Sequence, residues 1–105
     1  MVTIASFRKI SLTFRDAIEL PHFHKTSFRV KRKIFTTFDE VKNLAMVKLS
    51  LVDQSVFGDW NKDIIYPVPG GWGKQGAACI DLSIVKLKVP WGALRYAYNL
   101  VAKRK

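Results

Sequence analysis

The sequence predicts an α+β domain, a two-layer sandwich with helices packed on one face of an antiparallel sheet. The expected order is roughly α-β-β-β-α-β-β-α. Three observations carry this reading. Apolar residues recur at helical spacing near both ends of the chain, around Phe7 and around Leu94. Between those ends, β-branched and aromatic residues gather in short runs bounded by turn-forming residues. The links between successive runs are of hairpin length, which favours antiparallel neighbours.

Each element follows from its residues. Ile4, Phe7, Ser11 and Phe14 share one side of a helix over residues 3–14, and Thr3 is placed to cap its start. Leu20-Pro21 breaks any helix, because proline lacks an N–H and disfavours a helical residue before it. The segment leaves room for a short extra edge strand over residues 18–23, beyond the three in the expected order. Residues 26–30 alternate and residues 34–38 are rich in β-formers, so Lys31-Arg32 is a tight hairpin turn, although neither is Asn or Gly. Residues 39–43 make a polar turn and residues 44–49 a further strand. Ser50 opens a second helix through a capping box with Asp53, with Val52 and Val56 on its buried side and Gly58 at its end. Residues 64–66 form a short strand closed by Pro67 and Pro69, and residues 69–76 a glycine-dense loop. Residues 77–82 return as a strand. Trp91, Leu94, Tyr98 and Val101 then line one side of a C-terminal helix with Pro90 in its first turn.

Length and composition bound the function. The chain has 105 residues, 49% of them hydrophobic, which suits one domain over residues 1–105. A chain of this length buries about two thirds of its unfolded surface and needs no staples. One cysteine excludes a disulfide framework within the chain and a zinc site built from several thiolates. No uncharged apolar run approaches the ~20 residues of a membrane helix, and the first residues lack a signal-peptide pattern. A cytoplasmic monomer with no membrane partner is expected.

The charge is uneven. Eighteen Lys and Arg against eight Asp and Glu leave a formal +10. Residues 25–33 hold Lys25, Arg29, Lys31, Arg32 and Lys33 with no acid, and residues 74–105 hold seven bases against Asp81 alone. Such concentration favours a polyanionic partner. The plainer alternative is a solvated, edge-protecting hairpin. Lys103-Arg104-Lys105 is set aside as a solvated tail.

Several short motifs occur in a specific order: Ser6-Phe-Arg-Lys9, Lys25-Thr-Ser-Phe-Arg-Val30, Lys33-Ile-Phe35, Val47-Lys-Leu-Ser50 and Asp53-Gln54. Glu19 through Phe23 falls between the first two, and Tyr66-Pro-Val-Pro69, Trp72-Gly-Lys-Gln-Gly76 and Ala97-Tyr98 with Val101-Ala102 continue the series. In this ordered set the chain resembles the MmcQ/YjbR-like family across nearly its whole length. The resemblance implies a two-layer α/β fold with a double-wing arrangement and a DNA-binding role.

From the residues themselves, the hairpin with Arg29, Lys31, Arg32 and Lys33 is the first candidate site. If the turn permits, Arg29, Lys31 and Lys33 project together as a basic ribbon against phosphates. The glycine-dense loop, with Trp72, Lys74 and Gln75, is the second: its amides and Lys74 suit an anion and Trp72 a base or ring, although such a loop more often serves as a structural turn. It is no nucleotide-hydrolase phosphate loop, since Gln75 rather than Ser or Thr follows Gly73-Lys74. No helix carries a cluster of Arg, Asn and Gln for reading base edges, so weak sequence specificity is expected. His22 and His24 are surface or half-buried rather than ligands, and Cys79 is a small buried hydrophobe. No nucleophile–base pair or paired carboxylates emerge, so no enzyme, cofactor or metal is expected. The expected partner is double-stranded DNA or another polyanion. The alternative is an adaptor that takes an acidic protein on an exposed, apolar sheet face.

Overall fold

Helix α1 (Ile4–Thr13) is capped by Thr3, whose Oγ1 accepts the Ser6 N–H at 3.1 Å. The computed structural model describes residues 2–23, 25–60, 62–84 and 88–102. The chain turns at Asp16, where φ is 63°, and enters a meander of β1 (Ile18–His22), β2 (Lys25–Val30), β3 (Lys33–Asp39) and β4 (Leu44–Val47). Neighbours pair antiparallel throughout, Glu19 opposite Phe28, Thr26 opposite Phe38 and Thr36 opposite Val47. Beyond β4 the Lys48 N–H still donates to the Phe35 carbonyl at 3.0 Å.

Helix α2 (Leu51–Trp60) then carries the chain to the far edge of the sheet at β5 (Ile65–Pro67). A single helical turn, α3 (Gly71–Lys74), leads back to β6 (Ala78–Asp81), which pairs with β4 on one side and β5 on the other. The sheet order is β1-β2-β3-β4-β6-β5, so the two last strands are exchanged relative to a simple meander. Helix α4 (Lys88–Ala102) closes the chain with Pro90 in its first turn, where the missing N–H costs no helical bond. The α+β, two-layer expectation holds; the order differs from the expected one in that the extra edge strand is present as β1, giving four strands before α2, and the glycine-dense stretch folds into α3.

Helices α1 and α4 cover one face of the sheet. Phe7 meets Phe28 and Phe38 edge-on at 6.3 and 6.0 Å between ring centroids. Tyr98 stacks on Phe14 at 4.9 Å and donates its hydroxyl to the Arg15 carbonyl at 2.7 Å. Phe28, Phe35, Val47, Ile65, Ile80, Leu82 and Leu94 are fully buried in this layer. Ser11 is buried among them, and its Oγ has no hydrogen-bond partner among the described residues. Replacing it by alanine removes an unsatisfied hydroxyl and improves helix propensity. Ser11→Ala is expected to stabilise the fold by about 1 kcal/mol, read as a higher denaturation midpoint.

Helix α2 corrects one expectation. Val52 and Val56 were expected on its buried side, yet they are 71% and 62% exposed. The inward residue is Gln54, whose Nε2 donates to the Gly73 and Ala77 carbonyls at 2.8 Å each. At 3.6 residues per turn, positions two before and two after an inward residue fall on the opposite side. Polar satisfaction of α3 therefore sets the rotation of α2, and Phe57 rather than Val56 packs inward, edge-on to Tyr96. The expected N-cap is present, with the Asp53 N–H donating to Ser50 Oγ at 3.1 Å. The helix runs past Gly58 to Trp60.

Candidate nucleic-acid interface

The hairpin turn between β2 and β3 places Lys31 and Arg32 at φ 53° and 69°, both left-handed, with Val30 opposite Lys33. This is the two-residue geometry whose twist matches a hairpin, and it normally selects Asn-Gly. Two long cationic side chains held there leave local backbone strain at an exposed tip. Lys31→Asn with Arg32→Gly is expected to raise stability by about 1 kcal/mol by chemical denaturation, while removing two charges from the tip.

The turn also decides which way the basic residues face. In a two-residue turn, the flanking positions 30 and 33 are partners and share a face. Val30 is buried under the helices, so Lys33 lies on the helical side. Arg29 lies on the opposite, open face, where its Nε donates to Ser27 Oγ at 3.0 Å. Ser27 Oγ in turn donates to the Leu20 carbonyl at 2.8 Å. The expectation that Arg29, Lys31 and Lys33 project together is thus corrected: the side-chain parity flips across the turn.

Lys33 instead meets the second candidate. At this end of the sheet Lys33, Lys48, Leu49, Trp72, Gln75 and Leu100 line a cleft of about 290 Å³. Trp72 is 40% exposed, and Lys48 Nζ stands 5.1 Å from its ring centroid, within cation–π range. Lys31 and Arg32 stay exposed at the hairpin tip, and Lys74 is exposed on α3 outside the cleft lining. The structure therefore gathers Lys33, Trp72 and Gln75 of the expected set and adds Lys48.

The glycine-dense stretch is built as the single turn α3. Within it, Lys74, Gln75, Gly76 and Ala77 donate their amides to the carbonyls of Gly70, Gly71, Gly73 and Trp72. What the glycines supply is close approach. A Cβ on Gly73 would lie 1.7 Å from the Val68 carbonyl oxygen, and one on Gly76, at φ 120°, 2.0 Å from that of Leu49. These contacts seat Trp72 beside Lys48.

The open face of the sheet holds the remaining polar side chains. His22 is half-buried at the end of β1, while His24 lies outside the described residues, as does the basic stretch 103–105. No group of three or more metal-ligating side chains occurs among the described residues. Cys79 is half-buried rather than buried; burial pushes its thiol up from the ordinary value, only partly offset by Lys25. Burial, with the nearby Cys79 and Asp81, also raises Tyr66. A raised thiol is the reverse of an activated nucleophile. Among the described strand residues, the exposed large hydrophobics are Ile18 and Leu20 of β1. No described helix is long and apolar enough to cross a membrane.

No family model and no curated protein matches the chain. Among solved structures it is similar to the crystal structure of Deinococcus radiodurans protein DR2400, with family-model domain DUF419, at a TM-score of 0.84. The two share a fold. The likeness covers 99% of this chain and 81% of that one at 18% sequence identity.

Proposed function

We propose that the chain is a member of the MmcQ/YjbR-like family, to which DUF419 corresponds, and that it is a nucleic-acid-binding module of low sequence specificity. The observation that carries the binding role is the convergence of Lys33 and Lys48 on Trp72 in one cleft, beside the exposed Lys31-Arg32 tip. Two cations beside a half-exposed aromatic, with two more at the hairpin tip that leads into Lys33, suit a phosphate backbone with a base against the ring. The two hairpins β1–β2 and β2–β3 are the wings of this reading, and a cytoplasmic setting belongs to it. No arrangement of Arg, Asn and Gln on a helix aims at base edges, so affinity comes from phosphates and is shared by all sequences.

The test is fluorescence anisotropy with a short labelled DNA duplex, with a single strand alongside and polyglutamate as competitor. Micromolar binding that DNA competes for better than polyglutamate supports the role. A chain that binds no nucleic acid even at about 50 mM salt loses it, and the basic end becomes a solubility feature.

A further inference from the structure

We infer that the open face of the sheet is a track for one extended single strand of nucleic acid, entered at Trp72; this rests on the nucleic-acid reading above. Trp72 belongs to two concavities at once. One is the end cleft with Lys33 and Lys48. The other is a groove of about 270 Å³ on the open face, floored by Thr37, Met46 and Cys79. Its two sides are residues 68–72, which lean over the sheet, and His22 with Lys25 of the β1–β2 hairpin. A further depression of about 280 Å³ shares Lys25 and the same floor and continues to Lys42 and Tyr66.

The chemistry along this path is that of a polyanion with flat faces. Lys33 and Lys48 stand at one end, Lys25 in the middle and Lys42 at the far end. Trp72 and Tyr66 supply aromatic surface at the two ends, and the floor between them is uncharged. Asp39 also borders the far depression, but its Oδ1 accepts the Val41 and Lys42 amides at 3.1 and 3.2 Å and so serves the turn. A walled concavity does not suit a duplex, whose grooves are entered by convex helices or ribbons. It does suit an unpaired strand, whose bases stack on aromatic rings while cations follow its phosphates. An acidic peptide matches the lysines yet brings no flat faces for Trp72 and Tyr66.

The chain has one cysteine, and Cys79 lies on the groove floor, so its alkylation rate reports whether the track is occupied. A deoxythymidine oligomer of about 12 nucleotides is added to saturation, judged by anisotropy, and the rate of maleimide addition to Cys79 is measured. Alkylation is expected to slow at least about tenfold, whereas a saturating duplex leaves it within about twofold of the free rate. Lys25→Ala with Lys42→Ala is expected to weaken the oligomer about tenfold and the duplex little. Saturating oligomer with an unchanged alkylation rate overturns the track and leaves the nucleic-acid reading standing. Equal protection by duplex, or better protection by polyglutamate, also overturns it. Failure of every nucleic acid to bind removes both.

Discussion

Gly76→Ala is expected to destabilise the fold by about 4 kcal/mol, a large part of the roughly 5–15 kcal/mol that holds a domain folded. Two costs add at this position. At φ 120° any side chain is strained. The added Cβ would also lie 2.0 Å from the Leu49 oxygen and 2.9 Å from the carbonyl carbons of Leu49 and Ser50. That backbone cannot easily retreat. Leu49 is buried, and Ser50 holds the start of α2 through the Asp53 and Gln54 amides. Gly92, in α4, is the control, because a Cβ added there meets nothing within 4 Å. Gly92→Ala should therefore stabilise by about 0.5–1 kcal/mol through helix propensity. Urea denaturation of both variants checks the pair. Similar midpoints for the two would mean that Gly76 is not held against Leu49–Ser50, and the seat of Trp72 would lose its explanation.

Removing both cleft cations has the largest expected effect on binding. Lys33→Ala with Lys48→Ala should weaken DNA binding about 50-fold near 100 mM salt, equally for unrelated sequences, because each lost phosphate contact is worth roughly a factor of ten or less there. Neither substitution touches the core: Lys33 is exposed and Lys48 half-buried, so the denaturation midpoint should barely move. Lys9→Ala, which removes an exposed charge from α1, should change affinity far less. Anisotropy titrations on two unrelated duplexes measure both quantities. A sequence-dependent loss would mean that these lysines read bases.

What the sequence reveals and what it hides divide along physical lines. Helix α1, the Lys31-Arg32 turn and the strand runs are legible, because each rests on local chemistry: a Thr3 cap, alternation, β-branched residues. Lys33 is legible as a basic residue but not in its direction, since strand parity does not carry through a two-residue turn. Lys48 gives no signal. In sequence it is one lysine in an apolar run, and only the exchange of β5 and β6 brings Trp72 against it. Gln54 is hidden for the same reason. Its partners are the Gly73 and Ala77 carbonyls, far along the chain, and the two valines beside it present a more obvious apolar side.

That a basic cleft at one end of the sheet binds nucleic-acid phosphates is tested most directly by the salt dependence of binding. The logarithm of the association constant is measured against the logarithm of salt concentration between about 50 and 200 mM, for the wild type and for Lys33→Ala with Lys48→Ala. Phosphate contact by these two side chains flattens the slope by about two units in the variant. Parallel slopes for the two proteins would contradict it, and place the contacts, if any, elsewhere on the chain.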